Sequence, residues 1–282
     1  MTQHHFIKIP HFGRVHYALE GEDPHGKFPL VVLIHGITSS VASLQALRHE
    51  LCKRSRISLL SIDFCGHGFT DEHATGPLCG KTVIVFYDLV LKCLGLYSKQ
   101  FHIVAHSMGA AIASVLISSR RFSVKSVCLL SPYCGPTDEP FSAKLARTPL
   151  LNRLLMRLAG PRLVVRHFTT ACPNPITAKE VEESLLELFE QRPEYLYTFF
   201  NLFINFLSQD FLRNYQEFPH DCAVMIIHGT LDKIVPEASV KKLRSVLTDK
   251  TVIKTLKDYG HEILIECPSI VSELVVEFVT SD

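Results

Sequence analysis

The sequence predicts an α/β fold in which a mostly parallel central β-sheet of about eight strands is flanked by helices and interrupted once by an inserted helical cap. Three observations predict it. Short runs that are apolar throughout, as strands buried on both faces must be, alternate with segments whose apolar residues fall at helical spacing. From 132 to 219 that alternation stops, and prolines at 136, 140, 149, 161, 173, 175 and 193 punctuate helical stretches. Beyond 219 the strand and helix alternation resumes. A chain of 282 residues fits one large domain carrying an insertion, given roughly 100–200 residues per domain. The predicted organisation is a core in two parts, 1–131 and 220–282, with the cap at 132–219.

Phe6–Ile9 and Arg14–Leu19 carry polar residues spaced through them and flank a turn at Gly13, which predicts an antiparallel edge pair with one wet face. Leu30–Ile34 is continuously apolar and ends in His35-Gly36, which makes it the first central strand. Ser43–Arg54 places Leu44, Leu47 and Leu51 near helical spacing, and Ile57–Phe64 returns to a strand pattern. Helix Lys81–Leu96, strand Phe101–Ala105, helix Met108–Ser119 and strand Val124–Leu130 continue the alternation, which predicts right-handed crossovers in a parallel sheet. After the cap come strand Ala223–Ile227, helix Glu237–Leu247, strand Thr251–Leu256 and a closing helix near Ile270–Val279.

Composition narrows the function classes. A hydrophobic content of 47% supports a sizeable core and excludes disorder. Lys plus Arg number 29 against 28 Asp plus Glu, so no bulk field attracts nucleic acid, and no nucleic-acid partner is expected. The nine cysteines are an odd set without a CxxC or paired zinc spacing, which predicts free thiols and no metal site. Residues 1–10 show no basic region followed by an apolar stretch, and the apolar run Tyr195–Leu207 is broken by Asn201 and Asn205. The expectation is a cytoplasmic protein without a transmembrane segment. Gly66 and Gly68 lack the third glycine of a dinucleotide loop, and Gly80-Lys81-Thr82 has Thr75 where a phosphate loop needs its first glycine, so no cofactor is implied.

Strand Phe101–Ala105 runs into Ala105-His106-Ser107-Met108-Gly109, with a helical pattern directly behind it. A serine at such a sharp strand-to-helix corner is presented for nucleophilic attack, and small residues two positions to either side relieve the crowding there. Ser107 is therefore the candidate nucleophile, the alternative being an ordinary serine capping the helix. With His35-Gly36 closing one strand, Asp63-Phe-Cys-Gly-His-Gly68 closing the next, and Asp232 and His261 following in order, the chain resembles the α/β-hydrolase superfamily over nearly its whole length except the cap. It looks most like the lipase, esterase and carbon–carbon-bond hydrolase group. It departs from the usual pattern in having Ala105 where glycine is common.

That resemblance implies roles for further residues. His261, in Gly260-His261 after the last strand, would be the base, because an imidazole can take the serine proton and return one to the leaving group near neutral pH. Asp232, just past strand Ala223–Ile227, would orient it; the order Ser107, Asp232, His261 is that of an α/β-hydrolase triad, and Asp138 is the alternative acid. The amides of Met108 and Ile37 would form the oxyanion hole. His35, Gly36, Asp63, Gly66, His67 and Gly68 are assigned to architecture.

Aromatic residues crowd Tyr195 to Leu212, and Phe199, Phe203 and Phe206 are assigned either to an apolar substrate pocket or to packing of the cap on the core. The expected substrate is a small or medium ester, monoacylglycerol-like, or a carbon–carbon diketone, reached beneath a movable lid that could touch a lipid surface transiently. Acyl transfer to an alcohol or thiol, and a non-catalytic ligand receptor on the same fold, remain alternatives.

Overall fold

The structure, a computed structural model, describes residues 3–72, 76–136 and 161–281. The first half contains β1 (Gln3–Ile9), β2 (Gly13–Gly21), β3 (Leu30–Ile34), α1 (Gln45–Arg54), β4 (Ser58–Ile62), α2 (Gly80–Cys93), β5 (Phe101–His106), α3 (Met108–Ser118) and β6 (Val124–Leu130). A helical stretch at 161–169 precedes α4 (Pro175–Gln191), α5 (Tyr195–Asn205) and α6 (Leu212–Gln216). The chain then continues through β7 (Ala223–Gly229), α7 (Glu237–Val246), β8 (Val252–Leu256), α8 (Ile263–Glu266) and α9 (Pro268–Thr280).

Eight strands form one sheet in the order β1-β2-β4-β3-β5-β6-β7-β8. The β1–β2 and β2–β4 pairings are antiparallel and all later ones parallel, so the amino-terminal hairpin closes one edge of an otherwise parallel sheet. Strands β3, β4 and β5 are buried at every residue; β3 reads as an unbroken apolar run, while β4 and β5 also bury Ser58, Ser61, His102 and His106. One face is covered by α1 and α9, whose Leu47, Leu51, Val271 and Val275 pack with Val31, Leu33, Val104 and Ile227 of the sheet. On the other face Val83, Phe86, Ile112, Val240 and Leu243 of α2, α3 and α7 pack with Val32, Ile34, Ile103 and Leu129. A third cluster, built on Phe168, Val181, Leu185, Phe189, Tyr195 and Phe199, lies within the helices between β6 and β7.

Several element ends shift by a few residues from the sequence expectation, and three of the differences have identifiable reasons. β1 begins at Gln3 because backbone pairing with Leu19 and Ala18 continues beyond its last apolar residue. α9 begins at Pro268, where proline occupies the first turn and needs no donor. The four-residue α8, between the strand and closing helix that the sequence predicts, is too short to express a period. Asp138 lies outside the described residues. Among the described residues no helix is long and apolar enough to cross a membrane.

The placement of α3 is set by Gly109. A Cβ there would sit 2.4 Å from the Ile34 carbonyl oxygen and 2.8 Å from that of His35, so the helix approaches the end of β3 closely only because the side chain is absent. Gly109→Ala is expected to destabilise the fold by about 2 kcal/mol or more, read as a lower urea midpoint at unchanged slope. An unchanged midpoint would contradict this account of the helix–strand contact.

Candidate active site

The end of β5 and the start of α3 meet at Ser107, whose backbone has φ 52° and ψ −116°. This left-handed torsion is costly for a residue with a side chain, on the order of 1–3 kcal/mol, and is over-determined by its surroundings. The Ser107 N–H donates to the Leu130 carbonyl at 3.0 Å, and the Ser107 carbonyl accepts from the amides of Ala110 at 2.9 Å and Tyr133 at 3.3 Å. Ala105 is fully buried and keeps its place in the β3–β5 and β5–β6 pairing, so the methyl group is accommodated in the bend.

Two loops at the carboxyl ends of β7 and β8 complete the constellation. Ser107 Oγ lies 2.9 Å from His261 Nε2, and His261 Nδ1 lies 2.9 Å from Asp232 Oδ2. A carboxylate only accepts, so His261 Nδ1–H donates to Asp232 and Nε2 is left to accept from the serine hydroxyl. The other carboxylate oxygen, Asp232 Oδ1, accepts from the amides of Ile234 at 2.9 Å and Val235 at 2.8 Å. The structure thus brings together Ser107, Asp232 and His261, each at most 7% exposed. Gly229 allows the two loops to meet, since a Cβ there would strike the Tyr259 carbonyl oxygen at 2.4 Å.

Electrostatics sets the pair. Burial pushes the His261 pKa down, but the charge and hydrogen bond of Asp232, with Glu262 and Glu266 behind them, outweigh it and leave the pKa above its ordinary value. Burial pushes Asp232 up, and the charge and hydrogen bond of His261 with the Val235 amide overcome that, holding the carboxyl below its ordinary value. His228 Nε2–H donates to the Val235 carbonyl at 2.8 Å and so ties the Asp232 loop to β7.

Ile37 and Met108 occupy the two turns beside Ser107, and no protein acceptor is found for either amide among the described residues. The architectural residues form a second network. Asp63 is buried and accepts from Val41 N at 2.6 Å, Phe69 N at 3.0 Å and His16 Nδ1 at 2.6 Å. His35 Nε2 accepts from the Phe64 amide at 3.0 Å while its Nδ1–H donates to the Gly36 carbonyl at 2.7 Å.

A small cleft open to solvent lies over Ser107. Ile37, Thr38, Ser39 and Ser43 wall one side, Phe168, Val181, Ser184 and Leu185 another, and Glu180 and Glu262 contribute its charge. Phe199, Phe203 and Phe206 do not line it. Phe199 stacks on Phe203 at 6.1 Å and meets Phe200 edge-on, while Phe206 is fully buried against Phe211 at 5.0 Å. Their apolar faces are consumed by packing of the cap on itself and on the core, the other of the two assignments open from sequence.

Sequence reasoning missed His106 as a wall of the cleft. Its Nε2–H donates to the His261 carbonyl at 3.0 Å, its ring lies 5.0 Å from that of His261, and burial pushes its pKa down. Its place beside Ser107 in the quoted pentapeptide was the available signal. His106, His261 and Glu262 are the group whose ligand atoms, within 4.8 Å of one another, could surround a cation among the described residues. Nε2 of each imidazole is already engaged in a hydrogen bond.

The sheet order and this constellation define a class, the α/β hydrolases. The chain belongs to that superfamily as a serine hydrolase, since the family model described as serine aminopeptidase, S33, matches residues 27–268. Monoacylglycerol lipase ABHD6 of Mus musculus is 22% identical over 281 residues, covering 94% of this chain and 79% of that protein. A thermophilic esterase from Thermogutta terrifontis superposes with a TM-score of 0.78 at 18% identity over 98% of both chains. MGS-M2, an α/β hydrolase from a Medee basin deep-sea metagenome library, gives 0.80 at 18% identity over 99% of this chain and 98% of the other. At these identities the solved structures establish the fold alone.

The charge balance at His261 has a measurable sign. In an NMR titration its imidazole is expected to protonate with a midpoint above the ordinary value of about 6.5. In Asp232→Asn the midpoint should fall below that value, because burial then acts with less opposition. A wild-type midpoint at or below the ordinary value would refute the stated balance.

Proposed function

We propose that the protein is a cofactor-independent serine hydrolase that cleaves a carboxylic ester through an acyl-enzyme on Ser107. The observation that carries this reading is the unbroken chain from Ser107 Oγ to His261 Nε2 and from His261 Nδ1 to Asp232 Oδ2, with 2.9 Å at each step. His261 takes the Ser107 proton as Oγ attacks the substrate carbonyl, and Asp232 stabilises the imidazolium. The amides of Ile37 and Met108 receive the negative charge that develops on the carbonyl oxygen. The imidazolium then protonates the leaving alcohol; water enters and gives a proton to His261 as its oxygen bonds the acyl carbon, and the imidazolium returns that proton to Ser107 Oγ as the acyl–Oγ bond breaks and the acid leaves.

The cleft bears on substrate. Val181, Leu185, Phe168 and Ile265 provide an apolar wall for a small or medium acyl group, and Thr38, Ser39, Ser43 and Ser184 provide hydroxyls suited to a polar alcohol. A monoacylglycerol-like ester combines those two characters, in keeping with relatives named as monoacylglycerol lipases. The core at 1–131 and 220–282 would carry the chemistry and the cap at 132–219 the specificity. A second reading rests on Glu180 and Glu262, with no Lys or Arg lining the cleft among the described residues. Two carboxylates suit an ammonium group, as in an amide substrate with a free amino terminus, and the matching family model carries the name serine aminopeptidase.

A fluorophosphonate probe is expected to label the protein at Ser107, with labelling lost in Ser107→Ala. Hydrolysis of p-nitrophenyl esters from acetate to palmitate should exceed that of aminoacyl p-nitroanilides; the reverse order would favour the second reading. Asp232→Asn should lower kcat by about 10⁴-fold. Activity should rise with pH as His261 loses its proton, with a midpoint on the alkaline side of an ordinary histidine. Labelling that persists in Ser107→Ala would reject the acyl-enzyme.

A further inference from the structure

The turn carrying Ile37 is held from an unexpected direction. Thr38 has φ +60°, a left-handed torsion that is a clear outlier for a β-branched side chain. Something must hold it there. Its hydroxyl donates to the Ile37 carbonyl at 2.6 Å, which is a local bond. Its N–H donates at 2.9 Å to the phenolic oxygen of Tyr195, which lies 157 residues later and belongs to the first turn of α5.

Tyr195 is itself rigidly placed. It is 0% exposed, its ring meets His67 edge-on at 5.1 Å, and Phe189 packs on it at 6.1 Å. Burial raises the phenol pKa far above its ordinary value, so the group facing Thr38 is a neutral hydroxyl at any working pH. The rest of α5 is seated on the loop after β4. Thr198 occupies the space where a Cβ on Gly66 would lie, at 2.7 Å, and Arg192 just before α5 donates from Nη1 to the Gly68 carbonyl at 2.5 Å.

We propose that Tyr195 is a positioning residue for acyl transfer: its buried hydroxyl locks the Thr38 turn and so fixes the direction of the adjacent Ile37 amide. The inference rests on the assignment of that amide to the oxyanion hole. Its consequence is that the catalytic centre is complete only when the cap is seated, because one of its two charge-stabilising turns is anchored by a cap side chain. A structural tyrosine that merely filled space would tolerate loss of the hydroxyl without a kinetic effect. A positioning hydroxyl would not, since small displacements of a transition-state donor are costly in rate.

The experiment compares wild type, Tyr195→Phe, Arg192→Met and the double variant Tyr195→Phe/Thr38→Gly for ester hydrolysis, fluorophosphonate labelling rate and thermal midpoint. Tyr195→Phe keeps the ring and is expected to fold, to lower kcat and the labelling rate about 10- to 100-fold, and to leave KM and the pH midpoint within error. Arg192→Met, which removes the hydrogen bond to the Gly68 carbonyl but leaves the Tyr195 hydroxyl on Thr38, should retain kcat within about twofold, well below the loss expected for a displaced donor. The double variant should recover part of the loss, because glycine adopts the left-handed torsion without an external tether. Should Tyr195→Phe fail to fold, hydrogen exchange in the wild-type protein decides: the Thr38 amide is expected to exchange slowly because the Tyr195 hydroxyl holds it, and a freely exchanging Thr38 amide would overturn the proposal. A Tyr195→Phe enzyme with wild-type kcat, an Arg192→Met enzyme impaired as severely, or an unrescued double variant would overturn the proposal. Wild-type protein that the probe does not label at all would instead reject the acyl-enzyme reading on which it rests.

Discussion

The backbone corner at Ser107 is the constraint on which the remaining geometry depends. A residue with φ 52° at the tip of a buried strand is held by the Leu130 carbonyl on one side and by the amides of Ala110 and Tyr133 on the other. Two of these three contacts are unavailable to an isolated strand–helix unit, because Leu130 belongs to β6 and Tyr133 to the chain beyond it. The torsional cost is therefore met by the sheet as a whole. The same corner requires α3 to pass against the ends of β3, and Gly109 makes that passage sterically allowed.

Charge placement follows from burial. Ser107, His261 and Asp232 are nearly inaccessible to water, so an uncompensated carboxylate or imidazolium would be expensive there. The Asp232 oxygens are satisfied by two amides and by His261, which lets the carboxylate remain ionised and raises the basicity of the imidazole. Glu266 adds to this field while its own carboxyl is raised, chiefly by burial and secondarily by Glu262 and Asp232. Burial, helped by the neighbouring His261, outweighs the charges of Glu262 and Asp232 and holds the His106 pKa below its ordinary value, while its Nε2–H donates to the His261 carbonyl.

The central sheet was legible in the sequence because β3, β4 and β5 are buried at every residue and β6 from Ser126 to Leu130, which favours Val, Ile and Leu over most of their length. Ser107 was legible for a related reason, since it sits where a strand pattern stops and a helix begins, whereas Asp232 and His261 stood out among the other acids and histidines through the resemblance of their order and loop context to the superfamily pattern. The cleft wall was not legible. Val181 and Leu185 lie at helical spacing on α4 and could equally have faced the cap interior, and Phe168 precedes a turn with no distinguishing pattern. Aromatic density drew attention to Phe199, Phe203 and Phe206, yet composition does not say which face of α5 looks at substrate. Tyr195 opens that same helix, and its hydroxyl finds Thr38 only through the tertiary placement of the cap.

The central claim, that chemistry passes through a covalent ester on Ser107, is tested most directly by rapid-quench mass spectrometry during turnover of a p-nitrophenyl ester. The account predicts a burst of one p-nitrophenol per active site together with an acyl adduct on the peptide containing Ser107. An adduct on another residue, or steady hydrolysis without any covalent adduct that survives Ser107→Ala, would contradict it.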